Sequence, residues 1–148
     1  MAEAGPYEKG RTLMFTAEAD IQLSQNQKLV MRVLEAKAAP LSAYMILEEL
    51  RADGLKAPLQ IYRALEKLMA YGLVHRLESL NAFIACSHMS CERSGATAFV
   101  ICDKCEQVQE ICDDSVSAFL SGLAEKSQMK ATKSSIELHG LCTGCAGG

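Results

Sequence analysis

The stretch PLQIYRALEKLMAYGLVHRLESLNAFIAC, residues 58–86, decides the fold. Pro58 stands at a favoured first helical position. Behind it Ile61, Ala64, Leu65, Leu68 and Met69 keep the i, i+3, i+4, i+7, i+8 spacing of a core-facing helical stripe, and Gly72 closes the helix. Two β-like runs, 73–77 and 81–86, follow and are joined by Glu78, Ser79 and Leu80, which reads as a hairpin. Upstream, Ser24 lies three residues before Gln27, a capping-box pattern that opens a helix striped with Leu29, Val30, Val33 and Leu34 and stopped by Pro40. Ser42 can cap a second helix, with Ile46, Leu47 and Leu50 as its buried face and Gly54 as its stop. Before these comes a short amphipathic stretch through Ile21 and Leu23, preceded by a tail to about residue 15.

Three short helices and a hairpin make a winged helix-turn-helix, whose last helix enters the major groove of DNA. On that helix Gln60, Arg63 and Lys67 share the face opposite the apolar stripe, and Tyr62 adjoins Arg63. Arginine pairs bidentately with guanine and glutamine with adenine, while lysine suits a phosphate. Tyr44, near the start of the second helix, can lie on a sugar or a thymine methyl. A solvated helix face, and a tyrosine with no such role, are the competing readings.

Whole-chain properties narrow the field less. Of 148 residues 49% are apolar, enough for a core, yet no apolar run approaches the roughly 18 residues of a membrane span. Residues 1–10 lack the apolar segment of a secretory signal, so the reading is cytoplasmic. In the cytosol disulfides are rare, and clustered cysteines more often bind metal or do redox chemistry. Residues 1–84 carry 10 basic and 10 acidic side chains, residues 85–148 carry 5 and 8, and all seven cysteines fall in the second part. The chain therefore divides near Cys86, and any nucleic-acid contact rests on a local face rather than on net charge.

The second part reads as a metal module. Cys102-Asp-Lys-Cys105 and Cys142-Thr-Gly-Cys145 are two C-x-x-C knuckles, which together supply the tetrahedral S₄ set that zinc prefers. Four protein ligands leave no open position, so this zinc is structural. The 36 residues between the knuckles must hold folded structure. Residues 113–126 read as a helix with Val116, Phe119, Leu120 and Leu123 on one face, and 129–139 as a strand returning to the second knuckle. His75, His88, Cys86, Cys91 and Glu110 gather near the division between the two parts, a mixed Cys/His/carboxylate set that suits Zn²⁺. An isolated histidine or a plain loop thiol is the alternative for each. Cys112 reads as structural and His139 as a packing or hydrogen-bonding residue beside the second knuckle.

At these residues the sequence resembles the ferric uptake regulator (Fur) family, specifically its zinc-sensing (Zur) branch. The resemblance is carried by SAYMILEELR (42–51), IYRALEKLMAYGLVHRLES (61–79), ICDKCEQVQE (101–110) and IELHGLCTGC (136–145). It implies an α+β chain: a tail at 1–15, a winged-helix DNA-binding domain at 16–85 and a small α/β zinc-containing dimerisation domain at 86–148. It implies two Zn²⁺ per chain, the structural one and a regulatory one held by His75, Cys86 and Glu110. His88 is the preferred fourth ligand, with Cys91 in reserve, because Gly95 or a neighbour stands where relatives often place a histidine. Tyr44 and Arg63 match positions that touch bases in that branch, while Leu59 and Gln60 replace the common Pro and Thr. The implied function is a zinc-responsive repressor, not an enzyme, binding palindromic operators of zinc-uptake genes as a homodimer, with no membrane and no small-molecule substrate. Competing expectations are a sensor of iron, manganese or peroxide within the family, and outside it a zinc-stabilised thiol redox switch.

Overall fold

The computed structural model describes residues 21–87, 96–132 and 134–147. Three helices open it: α1 (Gln25–Lys37), α2 (Ala43–Leu50) and α3 (Pro58–Ala70). Ser24 and Gln27 form the expected reciprocal capping box on α1, and Ser42 accepts from the Met45 N–H on α2. Ile21 and Leu23, in the amphipathic stretch expected there, lie outside any helix or strand. Gly54 (φ 96°) and Gly72 (φ 73°) take the left-handed backbone that ends a helix, which a β-carbon would oppose. The stripes meet in one core built from Val30, Leu34, Ile46, Leu50, Ile61, Leu65 and Leu68, all fully buried. Each such side chain stabilises the fold by about 1.5–3 kcal/mol.

The wing is β1 (Val74–Leu77) paired antiparallel with β2 (Ala82–Ala85), Val74 opposite Ala85 and Leu77 opposite Ala82. Leu41 adds a single bridge to Phe83. Because side chains alternate across a strand, the wing has two working faces. Val74, Phe83 and Ala85 pack on the helical core, whereas Leu77 and Ile84 pack with Leu80 on the second domain through Phe99, Ile101 and Val108.

That second domain holds β3 (Ala98–Cys102), β4 (Val108–Ile111), α4 (Asp114–Lys126), β5 (Ile136–Gly140) and the short α5 (Thr143–Ala146). Its sheet runs in the order β4-β3-β5, with β3 antiparallel to β4 and parallel to β5. The returning strand is shorter than the 129–139 expected from sequence. Ile136 pairs with Ala98 at the start of β3, and 129–132 is exposed chain beyond the reach of that partner. Register puts Glu110, Phe99 and Glu137 in one row across the three strands. Ile101 and Val108 lie on the same face, which is the face covered by the wing.

Candidate metal centres and nucleic-acid interface

Cys102 ends β3, Cys105 lies in the β3–β4 turn, Cys142 is the N-cap of α5 and Cys145 lies within it. Parallel pairing of β3 with β5 brings the knuckles together, so that all four sulfurs lie within 4.8 Å of one another. Cys105 and Cys142 sulfurs stand 3.8 Å apart. Four sulfurs at about 2.3 Å from one zinc are separated by about 3.8 Å along a tetrahedral edge, so the residues fit that ion. Backbone N–H groups of Cys142, Cys105 and Lys104 lower the Cys102 thiol to about 6, the thiolate form a metal needs. Cys145, hydrogen-bonded to Cys142 and held near the other sulfurs, is pushed up to about 12, as expected where four thiols cannot all ionise without a cation.

A second cluster joins the wing to the sheet. His75 from β1, Cys86 just past β2 and Glu110 from β4 place their donor atoms within 4.8 Å of one another. His75 Nε2 is 3.1 Å and Cys86 Sγ 3.4 Å from Glu110 Oε1, while the Ser87 N–H and hydroxyl donate to Oε2 at 3.0 and 2.9 Å. Burial pushes the Glu110 carboxyl up, but hydrogen bonds from His75 and Ser87 and the His75 charge outweigh it and hold it at about 2. Only 4% of that side chain is exposed, so an ionised carboxylate sits inside protein beside an imidazole and a thiol. The Phe99 ring meets the His75 ring edge-on at 5.4 Å and walls the site. A thiolate, an imidazole and a carboxylate together suit Zn²⁺ better than Mg²⁺, Ca²⁺ or Mn²⁺. His88 and Cys91, the two expectations for a fourth ligand, lie outside the described residues.

Cys112 is disulfide-bonded, in keeping with a structural role, and its sulfur lies 3.7 Å from Glu110 Oε1. Cys102, Cys105, Cys142 and Cys145 carry free thiols. His139 does hydrogen-bond beside the knuckles, its Nδ1 meeting Asp103 at 2.9 Å and its Nε2 lying 3.5 Å from Glu137. Sequence reasoning missed Ser87, Phe99 and Glu137. Ser87 adjoins a named ligand, the one local signal available, whereas the other two depend on strand register.

On α3, Tyr62, Arg63 and Lys67 are exposed opposite the buried Ile61, Ala64, Leu65 and Leu68. Neither cation forms an ion pair among the described residues. Tyr44 at the start of α2 is 63% exposed and Leu59 on the first turn of α3 is 56% exposed, so both stand clear of the core. Gln60 is placed differently from the expectation of a base-reading side chain. Its Oε1 accepts from the Lys56 and Ala57 N–H groups at 2.9 and 3.1 Å. Ala57 has no acceptor to return, so Gln60 supplies the half of a capping box that starts the helix.

The chain matches the model of the ferric uptake regulator family over residues 18–139. It is 34% identical over 130 residues to the zinc uptake regulation protein of Escherichia coli (strain K12), covering 87% of this chain and 75% of that protein. The structure superposes on a zinc uptake regulator complexed with zinc and DNA with a TM-score of 0.77 at 34% identity, over 85% of this chain and 84% of that one. It superposes on holo XcZur with a TM-score of 0.77 at 36% identity, covering 88% and 90% of the two chains.

Proposed function

The chain belongs to the ferric uptake regulator family, and on that premise we propose that it is a zinc-responsive transcriptional repressor, not an enzyme. It binds palindromic operators of zinc-uptake genes as a homodimer, with regulatory Zn²⁺ as corepressor and a second, structural Zn²⁺ in each chain. The observation that carries this reading is the His75, Cys86 and Glu110 cluster, whose ligand atoms come from both sides of the contact between wing and sheet. When bound, zinc supplies a cross-link without redox chemistry.

His75 and Cys86 move with the wing, and Glu110 with the sheet. Holding the three together fixes the angle between α3 and the second domain, and so the separation of the two recognition helices in a dimer. Half-sites about 34–36 Å apart require that separation. A preference of about 1–3 kcal/mol for the closed arrangement changes DNA affinity several-fold to a hundredfold. Arg63, Tyr62 and Tyr44 face bases or sugars, Lys67 faces a phosphate, and Gln60 positions the helix start.

Dimerisation is supported by large apolar side chains that one chain leaves uncovered. Phe119 and Leu123 on α4 are 66% and 45% exposed, and Leu138 on β5 is 58% exposed. Among the described residues β5 is also a sheet edge with no further strand beside it, the kind of feature that proteins cover or pair. The DNA-binding unit then spans residues 16–85 and the dimerisation unit 86–148, after a tail at 1–15. No helix among the described residues is long and apolar enough to cross a membrane. The reading places the protein in the cytoplasm, where its operator lies.

Cys86 argues against a sensor of iron, manganese or peroxide, since thiolates favour zinc. The disulfide at Cys112, beside Glu110, favours one second reading, a thiol redox switch at the same site. The experiment measures operator binding across buffered free Zn²⁺, under reducing conditions, for the wild type and Cys86→Ser. The expected result is zinc-dependent binding whose midpoint moves to higher zinc in the variant. Zinc-independent binding that responds to mild oxidation replaces the sensor with the redox switch.

A further inference from the structure

The contact between wing and sheet has a second point of attachment, far along β1 from the first and free of metal ligands. Glu137 on β5 accepts the Glu78 N–H at 2.6 Å and the Ser79 N–H at 3.2 Å. These two donors lie in the turn between β1 and β2, where ladder pairing ends. The Glu137 side chain is 11% exposed, so its charge is largely withdrawn from water and compensated by wing backbone. Buried ionised acceptors of backbone N–H groups are among the stronger hydrogen bonds in proteins. On its other side the carboxylate faces His139 Nε2, and His139 Nδ1 is bound in turn to Asp103 inside the first knuckle.

The strand register gives this contact its meaning. Glu110 and Glu137 flank Phe99 in one row across β4, β3 and β5. β1 crosses that row: His75 near its start meets Glu110 and the Phe99 ring, and Glu78 just past its end meets Glu137. One attachment leaves the wing able to pivot about it, whereas two attachments at opposite ends of β1 fix its direction.

We propose that Glu137 is a positioning residue for zinc sensing: its clamp on the Glu78–Ser79 turn, braced through His139 and Asp103 by the structural knuckle, pre-sets the wing so that His75 and Cys86 meet Glu110. The clamp and the hinge cluster favour the same closed arrangement, so each strengthens the other. The four-cysteine module thereby acts on the sensing site as well as on its own fold. This inference rests on the function proposed above, in that the hinge cluster is taken as the regulatory site.

The test uses the full chain as wild type, Glu137→Ala and Glu137→Gln. Zinc affinity of the hinge cluster is read by competition with a chromophoric chelator, and exchange of the Glu78 and Ser79 amide protons is read in protein stripped of hinge zinc. In Glu137→Ala the hinge affinity should fall roughly tenfold, within the usual range of coupling between sites. The two amides should lose protection, while structural zinc, dimer content and operator affinity at saturating zinc stay as in the wild type. Glu137→Gln, which keeps one carbonyl oxygen for the turn, should restore part of the affinity. Unchanged hinge affinity in Glu137→Ala overturns the proposal, as does a rise, which would make the clamp inhibitory. A wild type that binds zinc at the hinge but whose operator binding ignores it sinks the repressor reading instead, and leaves the chelator comparison to decide the clamp.

Discussion

His75 Nε2 lies 3.1 Å from Glu110 Oε1 and so ties the first strand of the wing to the second strand of the sheet. If that contact marks the regulatory site, His75→Ala should hold one zinc fewer per chain than the wild type and lose the zinc response of operator binding. Metal analysis of dialysed protein gives the count. A wild type with a single zinc, retained by His75→Ala, would leave only the structural site standing.

The four-cysteine site makes a different demand. Cys102→Ser should uncouple the β3–β4 turn from the end of β5 and destabilise the second domain by several kcal/mol or more, given how much of a small zinc domain's folding energy comes from its metal. Thermal unfolding with and without a strong chelator reads this directly. The loss should far exceed that in His75→Ala, whose fold keeps both knuckles.

Operator discrimination should separate Arg63 from Gln60. Arg63→Ala is expected to cost about 1–3 kcal/mol of specific binding and to relax preference at one base position. Gln60→Ala removes the acceptor for the Lys56 and Ala57 N–H groups, so it should cost about 1 kcal/mol of stability and leave base preference unchanged. A competition assay over operator variants, run beside a urea melt, distinguishes the two effects.

Acid should act through Glu110. In the metal-free protein its carboxyl is depressed from 4.5 to about 2. A depressed carboxyl contributes stability that is fully present above the unfolded value and is lost as pH falls toward the folded one. The stability difference between wild type and Glu110→Gln should therefore shrink as pH drops from about 4.5 to about 2. Urea midpoints at stepped pH measure it, and a difference that stays flat would show that the carboxylate is not held by His75 and Ser87.

How much of this was legible in sequence follows from the range of the interactions. The caps at Ser24 and Ser42, the stripe from Ile61 to Leu68 and the wing all rest on contacts a few residues apart, and they were readable. The knuckles were readable because two spacings repeat. β4 was not, since Val108, Gln109, Glu110 and Ile111 make too short a run to show alternation. The start of β5 depended on where its parallel partner begins, and Glu137 on a register that only tertiary pairing sets. Gln60 carried a helix-start signal three residues after Ala57, but no Ser or Thr at the cap position completed the pattern.

The helix at 113–126 was also expected, with Val116, Phe119, Leu120 and Leu123 along one side. Periodicity cannot say what that side meets, and none of its residues is fully buried in a single chain. Phe119→Glu should yield monomers by light scattering and weaken operator binding at any zinc level. Dimers that persist would move the interface elsewhere.

The parallel pairing of β3 with β5 carries a consequence for the order of events as the chain matures. The β3–β4 hairpin closes through a short turn, whereas β5 must return across α4 before it can dock, and non-local pairings of that kind form late. β5 bears the exposed edge and Leu138, and it leads into the second knuckle. On the proposed function, the part of the dimer surface that β5 supplies is finished only when the chain's own fold is complete. A dimer built on this face would in that sense be self-timed: before β5 docks, a chain offers a partner α4 alone.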